Sequence, residues 1–296
     1  MIFYSMGVYT QVFLVYPQCS GVPPGVPTPV WPHRPFTILL VVARRVAARR
    51  RQRGRRLAAR PSSRRAFHGA RGLRRVAFLP FAPGQFLQLS VTDGDGRINR
   101  PYSVASPSGK HLEFFIVLVE EGQLTPKLWA LEKGDVLQVA ERATGSFTLQ
   151  KSPSSEVLWL VSTGTGLAPY ISMLRTNEPW DNYQNICVVH GARRATELAY
   201  TEELRGYEQQ YPGRFKLIQA LTREEHSETL FGRIPSLLDD GQLEVAAECQ
   251  LRADNSTVLL CGNPAMLDDM EEKLGNRNLK RHRSKSPGQI VLERYW

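Results

Sequence analysis

"VLWLVSTGTGLAPYISMLR", residues 157–175, runs from an unbroken apolar stretch into two closely spaced glycines and then into a helical pattern. An apolar run with no alternation, closed by a turn, is the signature of a strand covered on both faces, as in a parallel sheet. Gly164 and Gly166 allow the backbone of the turn to come close to a ligand, and Pro169 suits the start of a helix. Backbone N–H groups at such a helix start favour an anionic group such as a pyrophosphate. The third glycine of the usual dinucleotide fingerprint is absent, so the turn alone is equally a tight strand–helix connection.

The same alternation continues toward the C-terminus. "ICVVHGAR" (186–193), "FKLIQALTR" (215–223) and "TVLLCGNP" (257–264) read as further buried strands. "ATELAYTEELRGYEQQY" (195–211) and "AMLDDMEEKLG" (265–275) carry leucines and tyrosines or methionines at helical spacing. Strands alternating with helices predict a doubly wound α/β domain with a parallel sheet over residues 156–296. Ligands of such sheets lie beyond the carboxyl ends of the strands. Arg193 follows the second strand, Thr222 and Arg223 the third, and Arg233 comes shortly afterwards. A guanidinium fork binds phosphate oxygens in pairs, whereas a bare ribose diol would prefer an acid, so these residues favour a dinucleotide with a 2′-phosphate. The competing reading is a solvated rim paired with Glu224 and Glu225. Cys261, Gly262 and Asn263 end the fourth strand, placing a thiol at the crevice, although a solitary cysteine is by default a small core residue.

Upstream the period changes. "FLQLSV" (86–91), "NRPYSVAS" (99–106), "LEFFIVLV" (112–119) and "DVLQVAE" (135–141) are short apolar or alternating runs separated by "TDGDG", "PSGK" and "EKGD". That punctuation predicts an antiparallel β-barrel over residues 79–151. "TPKLWALEK" (125–133) is its one helix, with Thr125 as N-cap and Pro126 at the first helical position. Arg100, Pro101, Tyr102 and Ser103 finish one run. The cation can grip a phosphate, the ring can cover a flat heterocycle, and the hydroxyl can bond a ring nitrogen; a flavin dinucleotide needs all three.

The 296 residues carry a net charge of +10, but unevenly. Residues 1–76 hold 15 arginines, no lysine and no acid, leaving 23 basic against 28 acidic residues downstream, a formal charge of −5. Residues 1–78, Arg- and Pro-rich, are expected to be irregular: a disordered polyanion-binding arm, an organelle-targeting segment, or a stretch that is not the native start of the protein. "FTILLVVA" (36–43) is far too short to span a bilayer. Cys19, Cys187, Cys249 and Cys261 show no CxxC or metal-ligand spacing, which predicts no metal or iron–sulfur cluster and thiols of a reducing, cytoplasmic compartment.

Together "RPYS", "STGTGLAP", "LLCGNPAM" and the terminal "ERYW" resemble the bacterial ferredoxin–NADP reductases, from about Phe81 to Trp296. The resemblance implies FAD contacts from Arg100, Pro101, Tyr102, Ser103, Phe115, Gln123, Leu124, Thr125, Tyr295 and Trp296, with Thr165 where two cofactors meet. It implies NADP contacts from Gly164, Gly166, Arg193, Thr222, Arg223, Arg233, Gly262 and Asn263. Tyr102, Ser103 and Cys261 would flank the reacting rings, with Glu293 an acid that assists transfer in some relatives. NADPH, FAD and a separate ferredoxin or flavodoxin are the implied redox partners of a monomer that needs neither membrane nor nucleic acid. The runner-up is an NADPH-dependent flavin or oxygenase reductase of the same architecture; a polyanion-binding protein acting through the Arg-rich arm comes third. One departure stands out: "AFHGARGLRRVAFL" (66–79) alternates poorly where the family's first barrel strands belong. A barrel lacking those strands has a bare edge, and weak FAD retention is expected from it.

Overall fold

The computed structural model describes two strands at 8–15 and 36–44 and residues 80–294 apart from 95, 110 and 132–136. In the β half, β3 (Phe86–Asp93) and β4 (Gly96–Ser103) form an antiparallel hairpin. Its turn opens on Gly94 at φ 59°, in the left-handed region that two-residue hairpin turns require. The short β6 (Gln138–Val139) adds to the other edge of β3, giving the order β4-β3-β6. β5 (His111–Leu118) joins this unit through an antiparallel bridge between Val104 and Phe114. Its side chains alternate between two cores: Leu112, Phe114 and Ile116 pack with Leu87, Leu89 and Leu128, while Phe115 faces the α/β half.

Four expectations are corrected here. Residues 1–78 are not irregular throughout, because β1 (Val8–Val15) and β2 (Phe36–Arg44) pair antiparallel to each other. Both segments are rich in the β-branched and aromatic residues that suit a pleated surface. β2 then pairs with β5 along its whole length, in parallel, so the β half is not purely antiparallel and the edge of β5 has a partner. The helix α1 (Thr125–Trp129) is also shorter than expected, and Thr125 does not cap it. The N-cap position is Leu124, while the Thr125 hydroxyl bonds both the N–H and the carbonyl of Val119 at 3.0 Å, tying down the preceding loop.

The α/β half is a six-stranded parallel sheet where the sequence pattern shows four strands. β7 (Val157–Thr163), β8 (Asn185–Ala192), β9 (Phe215–Leu221) and β11 (Ser256–Gly262) are the expected ones. The short β10 (Leu230–Phe231) and the C-terminal β12 (Ile290–Arg294) complete the order β10-β9-β8-β7-β11-β12. The order reverses between β7 and β11, which puts the topological switch point at the two glycine-bearing strand ends. α2 (Ala168–Leu174), α3 (Glu178–Asn182) and α4 (Thr201–Gln210) share one core with the β half; α4 is preceded by a single 3-10 turn, Ala195–Glu197, and starts later than its sequence pattern predicts. α5 (Ile234–Asp239), α6 (Gln242–Ala247) and α7 (Pro264–Asn276) cover the other face. β7 shows why its run is continuous: Leu158 and Leu160 enter one core, Val157, Trp159 and Val161 the other.

A candidate two-cofactor redox site

The switch point is built by close backbone packing. A Cβ on Gly166 would collide with the Cys261 carbonyl, and one on Gly262 (φ 134°) with the Thr163 hydroxyl. Only glycine fits either position. The Thr163 hydroxyl accepts from the Asn263 N–H at 2.9 Å, and the Asn263 side chain caps α7 through the Ala265 and Met266 N–H groups. Gly164 differs: its φ is 54° and a Cβ there would meet nothing within 4 Å, so the turn is open above it. Thr165 follows in the 3-10 turn Gly164–Leu167 that leads into α2.

The β half reaches this point through Ser103, at the end of β4. Its hydroxyl donates to Glu293 Oε2 at 3.1 Å, and Glu293 stands opposite Cys261 in the β11–β12 register. Burial pushes the Glu293 carboxyl up to about 7, partly offset by the Ser103 bond. Cys261 is fully buried. Tyr170 lies beneath the same strands, its hydroxyl 2.7 Å from the Leu259 carbonyl, and burial raises its pKa well above the usual tyrosine value. One residue before Ser103, Tyr102 is half-buried, and burial pushes its hydroxyl up to about 12 against the opposing pull of Arg100. Arg100 is exposed; its guanidinium bonds the Gln123 side chain at 3.0 Å and the Asn99 carbonyl at 2.7 Å. Thus Arg100 and Gln123, far apart in sequence, meet beside Leu124 and the first turn of α1.

The remaining sequence candidates divide. Phe115 is buried with its ring edge-on to Tyr200 at 5.8 Å, in the core between the halves. Tyr295 and Trp296 lie outside the described residues. Arg193, Arg223 and Arg233 are exposed, and Thr222 is half-buried, on the rim formed by the ends of β8 and β9 and the start of α5. The pairing continues past the strands, with Thr222 N–H bonding Ala192 O at 3.2 Å and Arg223 N–H bonding Arg193 O at 3.0 Å. Glu224 pairs instead with Arg194, at 2.9 Å. Among the described residues none of the Arg193, Arg223 and Arg233 guanidinium groups has a carboxylate partner. A cavity of about 510 Å³ lies between β3, β6 and α1, but none of the candidate residues lines it.

Sequence reasoning undervalues Glu293 because β12 is hard to read: "IVLER" is only five residues, and all of α7 and the loop after it separate it from its partner β11. Nothing in the sequence pattern singles out Arg175. Its guanidinium spans Glu113 of β5 (2.7 Å) and Glu203 of α4 (2.8 Å), and Tyr200 donates to Glu113 at 2.8 Å, so the two halves are joined by a polar network around the buried Glu113.

Residues 160–272 match the oxidoreductase NAD-binding domain family. The flavodoxin/ferredoxin–NADP reductase of Shigella flexneri is 39% identical over 220 residues, covering 74% of this chain and 89% of its own length. The ferredoxin–NADP reductase of Azotobacter vinelandii is 34% identical, covering 73% and 87%. Among solved structures, a ferredoxin NADP+ reductase from Neisseria gonorrhoeae with bound FAD and NADP superposes with a TM-score of 0.70 at 29% identity, over 75% of this chain and 89% of that one. With its switch-point glycines, its rim arginines and the Ser103–Glu293 bond joining the two sheets, the chain belongs to the flavodoxin/ferredoxin–NADP reductase family.

Proposed function

We infer that this chain passes electrons between NADPH and a ferredoxin or flavodoxin through FAD. The single observation that carries the reading is the 3.1 Å contact of Ser103 with Glu293 beside Cys261, which brings the end of β4 onto the crevice of the parallel sheet. The residues present suit both cofactors. Three rim guanidinium groups without carboxylate partners among the described residues match an extra phosphate, and the open Gly164 above packed Gly166 and Gly262 leaves a cradle one backbone deep. In this reading residues 79–151 hold FAD and residues 156–296 hold NADPH, as one monomer in a reducing, cytoplasmic setting.

Bound FAD supplies the exchange between two-electron hydride chemistry and single-electron release. The chain's own residues position. Arg100 and Gln123 bind the FAD phosphates, Tyr102 covers the ring, and Ser103 holds its hydroxyl at the ring edge. Arg193, Thr222, Arg223 and Arg233 bind the 2′-phosphate end of NADPH, while Gly164, Thr165, Gly262 and Asn263 line the approach of its other end. Glu293, protonated below pH about 7, keeps a proton beside Ser103, and Cys261 closes the crevice floor against water. No general base is required.

An acidic carrier is supported by residues 277–285, which hold Arg277, Lys280, Arg281, Arg283 and Lys285, with no acid from 273 to 292. Lys280, Arg281, Arg283 and Lys285 are exposed. The test is the absorption spectrum as purified, followed by anaerobic NADPH titration and cytochrome c reduction with and without added ferredoxin. Flavin, present as purified or taken up on addition of FAD and bleached by NADPH, and ferredoxin-dependent reduction are expected. A colourless protein that takes up no FAD would overturn the reading; flavin reduction without ferredoxin dependence would move it to the flavin-reductase alternative.

A further inference from the structure

His190 is a fully buried titratable side chain to which the transfer reading gives no part. It lies on β8, in register with Ser162 of β7 and Gln219 of β9. Burial lowers its pKa to about 4, so at neutral pH the ring is uncharged and carries one proton. Nε2 stands 3.2 Å from the Gly164 carbonyl oxygen. A carbonyl only accepts, so the proton is on Nε2 and Nδ1 remains an acceptor. Nδ1 is buried and has no partner among the described residues. A buried acceptor left bare carries a desolvation cost that a leucine at this position would avoid. A core-filling role gives no reason to keep that cost.

The backbone at Gly164 supplies a reason. The Gly164 carbonyl and the Thr165 N–H belong to one planar trans unit and point in opposite directions. With the carbonyl drawn inward to His190, the Thr165 N–H points away from the core. Thr165 sits in the first turn of Gly164–Leu167, whose leading N–H groups have no acceptor within the turn. At φ 54° Gly164 can rotate this peptide more freely than any other residue, so the turn needs an external hold.

We propose that His190 is a positioning residue for the dinucleotide turn, its Nε2–H fixing the Gly164–Thr165 peptide so that the Thr165 N–H faces the ligand in the crevice. This rests on the crevice being the NADPH site. The experiment compares FAD-loaded wild type, His190→Gln and His190→Leu, since a glutamine amide reaches the Nε2 position with a donor and leucine has none. NADP+ affinity is read by difference titration of the flavin band, and the Thr165 amide and His190 ring by ¹⁵N–¹H spectra of labelled protein.

His190→Leu is expected to weaken NADP+ binding about tenfold, the equivalent of one ordinary hydrogen bond, with His190→Gln restoring most of it. The Thr165 amide should shift on NADP+ addition in wild type and the Gln variant but not in the Leu variant. The proposal is overturned if the Leu variant binds NADP+ as wild type does, or if Gln fails to rescue a folded protein. Should neither variant fold, the wild-type spectrum still decides: a ring proton on Nδ1, or a Thr165 amide unmoved by NADP+, defeats it. Failure of wild type to bind NADP+ at all would instead sink the functional reading on which the proposal rests.

Discussion

Glu293, which accepts a bond from Ser103 of the other half, holds a proton imposed by its burial. The unfolded carboxyl titrates near 4.5, whereas the folded one holds its proton up to about 7 because burial penalises its charge. The folded state therefore binds the extra proton between those values, and stability contributed at low pH is lost as pH rises through that window. Glu293→Gln carries no such charge, so its melting temperature relative to wild type should climb between pH about 5 and about 8 and level off above. A difference that stays flat across that range would show that Glu293 is not buried as described. The rim arginines make a second residue-scale claim. Arg223→Ala and Arg233→Ala should each raise the KM for NADPH about tenfold, the loss of a charge-assisted bond, while NADH changes little. Equal losses for both coenzymes would remove the 2′-phosphate from the account.

At the scale of elements, what is legible in the sequence is whatever local periodicity encodes. β7, β8, β9 and β11 are buried on both faces, so their apolar runs announce them, and α7 is equally plain. β12 and β10 are not, because short strands are stabilised by a neighbour rather than by their own pattern. β2 escapes for another reason: its apolar run is too short for a bilayer span and lies in an Arg- and Pro-rich stretch expected to be irregular, while its parallel pairing with β5 reaches across the entire β3–β4 hairpin. In the site, RPYS and the glycine turn are readable as chemistry, but the Ser103–Glu293 contact is tertiary. Arg175 belongs to the same class, since nothing in its local sequence marks an ion pair to β5. Glu113 is almost wholly buried and would lose its cationic partner in Arg175→Leu. That substitution should destabilise the protein by about 3 kcal/mol in urea unfolding, and Glu113→Gln added to it should recover part of the loss. A single-variant cost under about 0.5 kcal/mol, the level of a surface change, would mean the network contributes nothing to joining the halves.

Over the whole molecule charge is uneven: residues 1–76 hold 15 arginines and no acid, residues 77–296 sum to −5, and within the latter the loop 277–289 before β12 is strongly positive. That loop is held by its own backbone. His282 N–H bonds Ile290 O at 2.7 Å, Gln289 N–H bonds Lys280 O at 2.7 Å, and Arg283 and Ser286 exchange two bonds at 2.9 Å. Its cations therefore project from a held backbone, and Ile290 is only about 10 Å along β12 from Glu293 at strand rise. Arg281 is partly neutralised by Glu271 at 3.6 Å, which leaves Lys280, Arg283 and Lys285 to set the local field. A positive patch set in a stretch of the opposite sign orients an approaching partner as well as attracting it. The double variant Arg283→Glu, Lys285→Glu should raise the KM for ferredoxin or flavodoxin several-fold at low ionic strength and leave NADPH-dependent ferricyanide reduction unchanged. The gap between variant and wild type should close toward about 1 M salt, where the Debye length falls to about 3 Å. If the two proteins differ as much at about 1 M salt as at about 10 mM, or if ferricyanide reduction falls in step, this loop is not the electrostatic face for the carrier, and docking must be sought elsewhere.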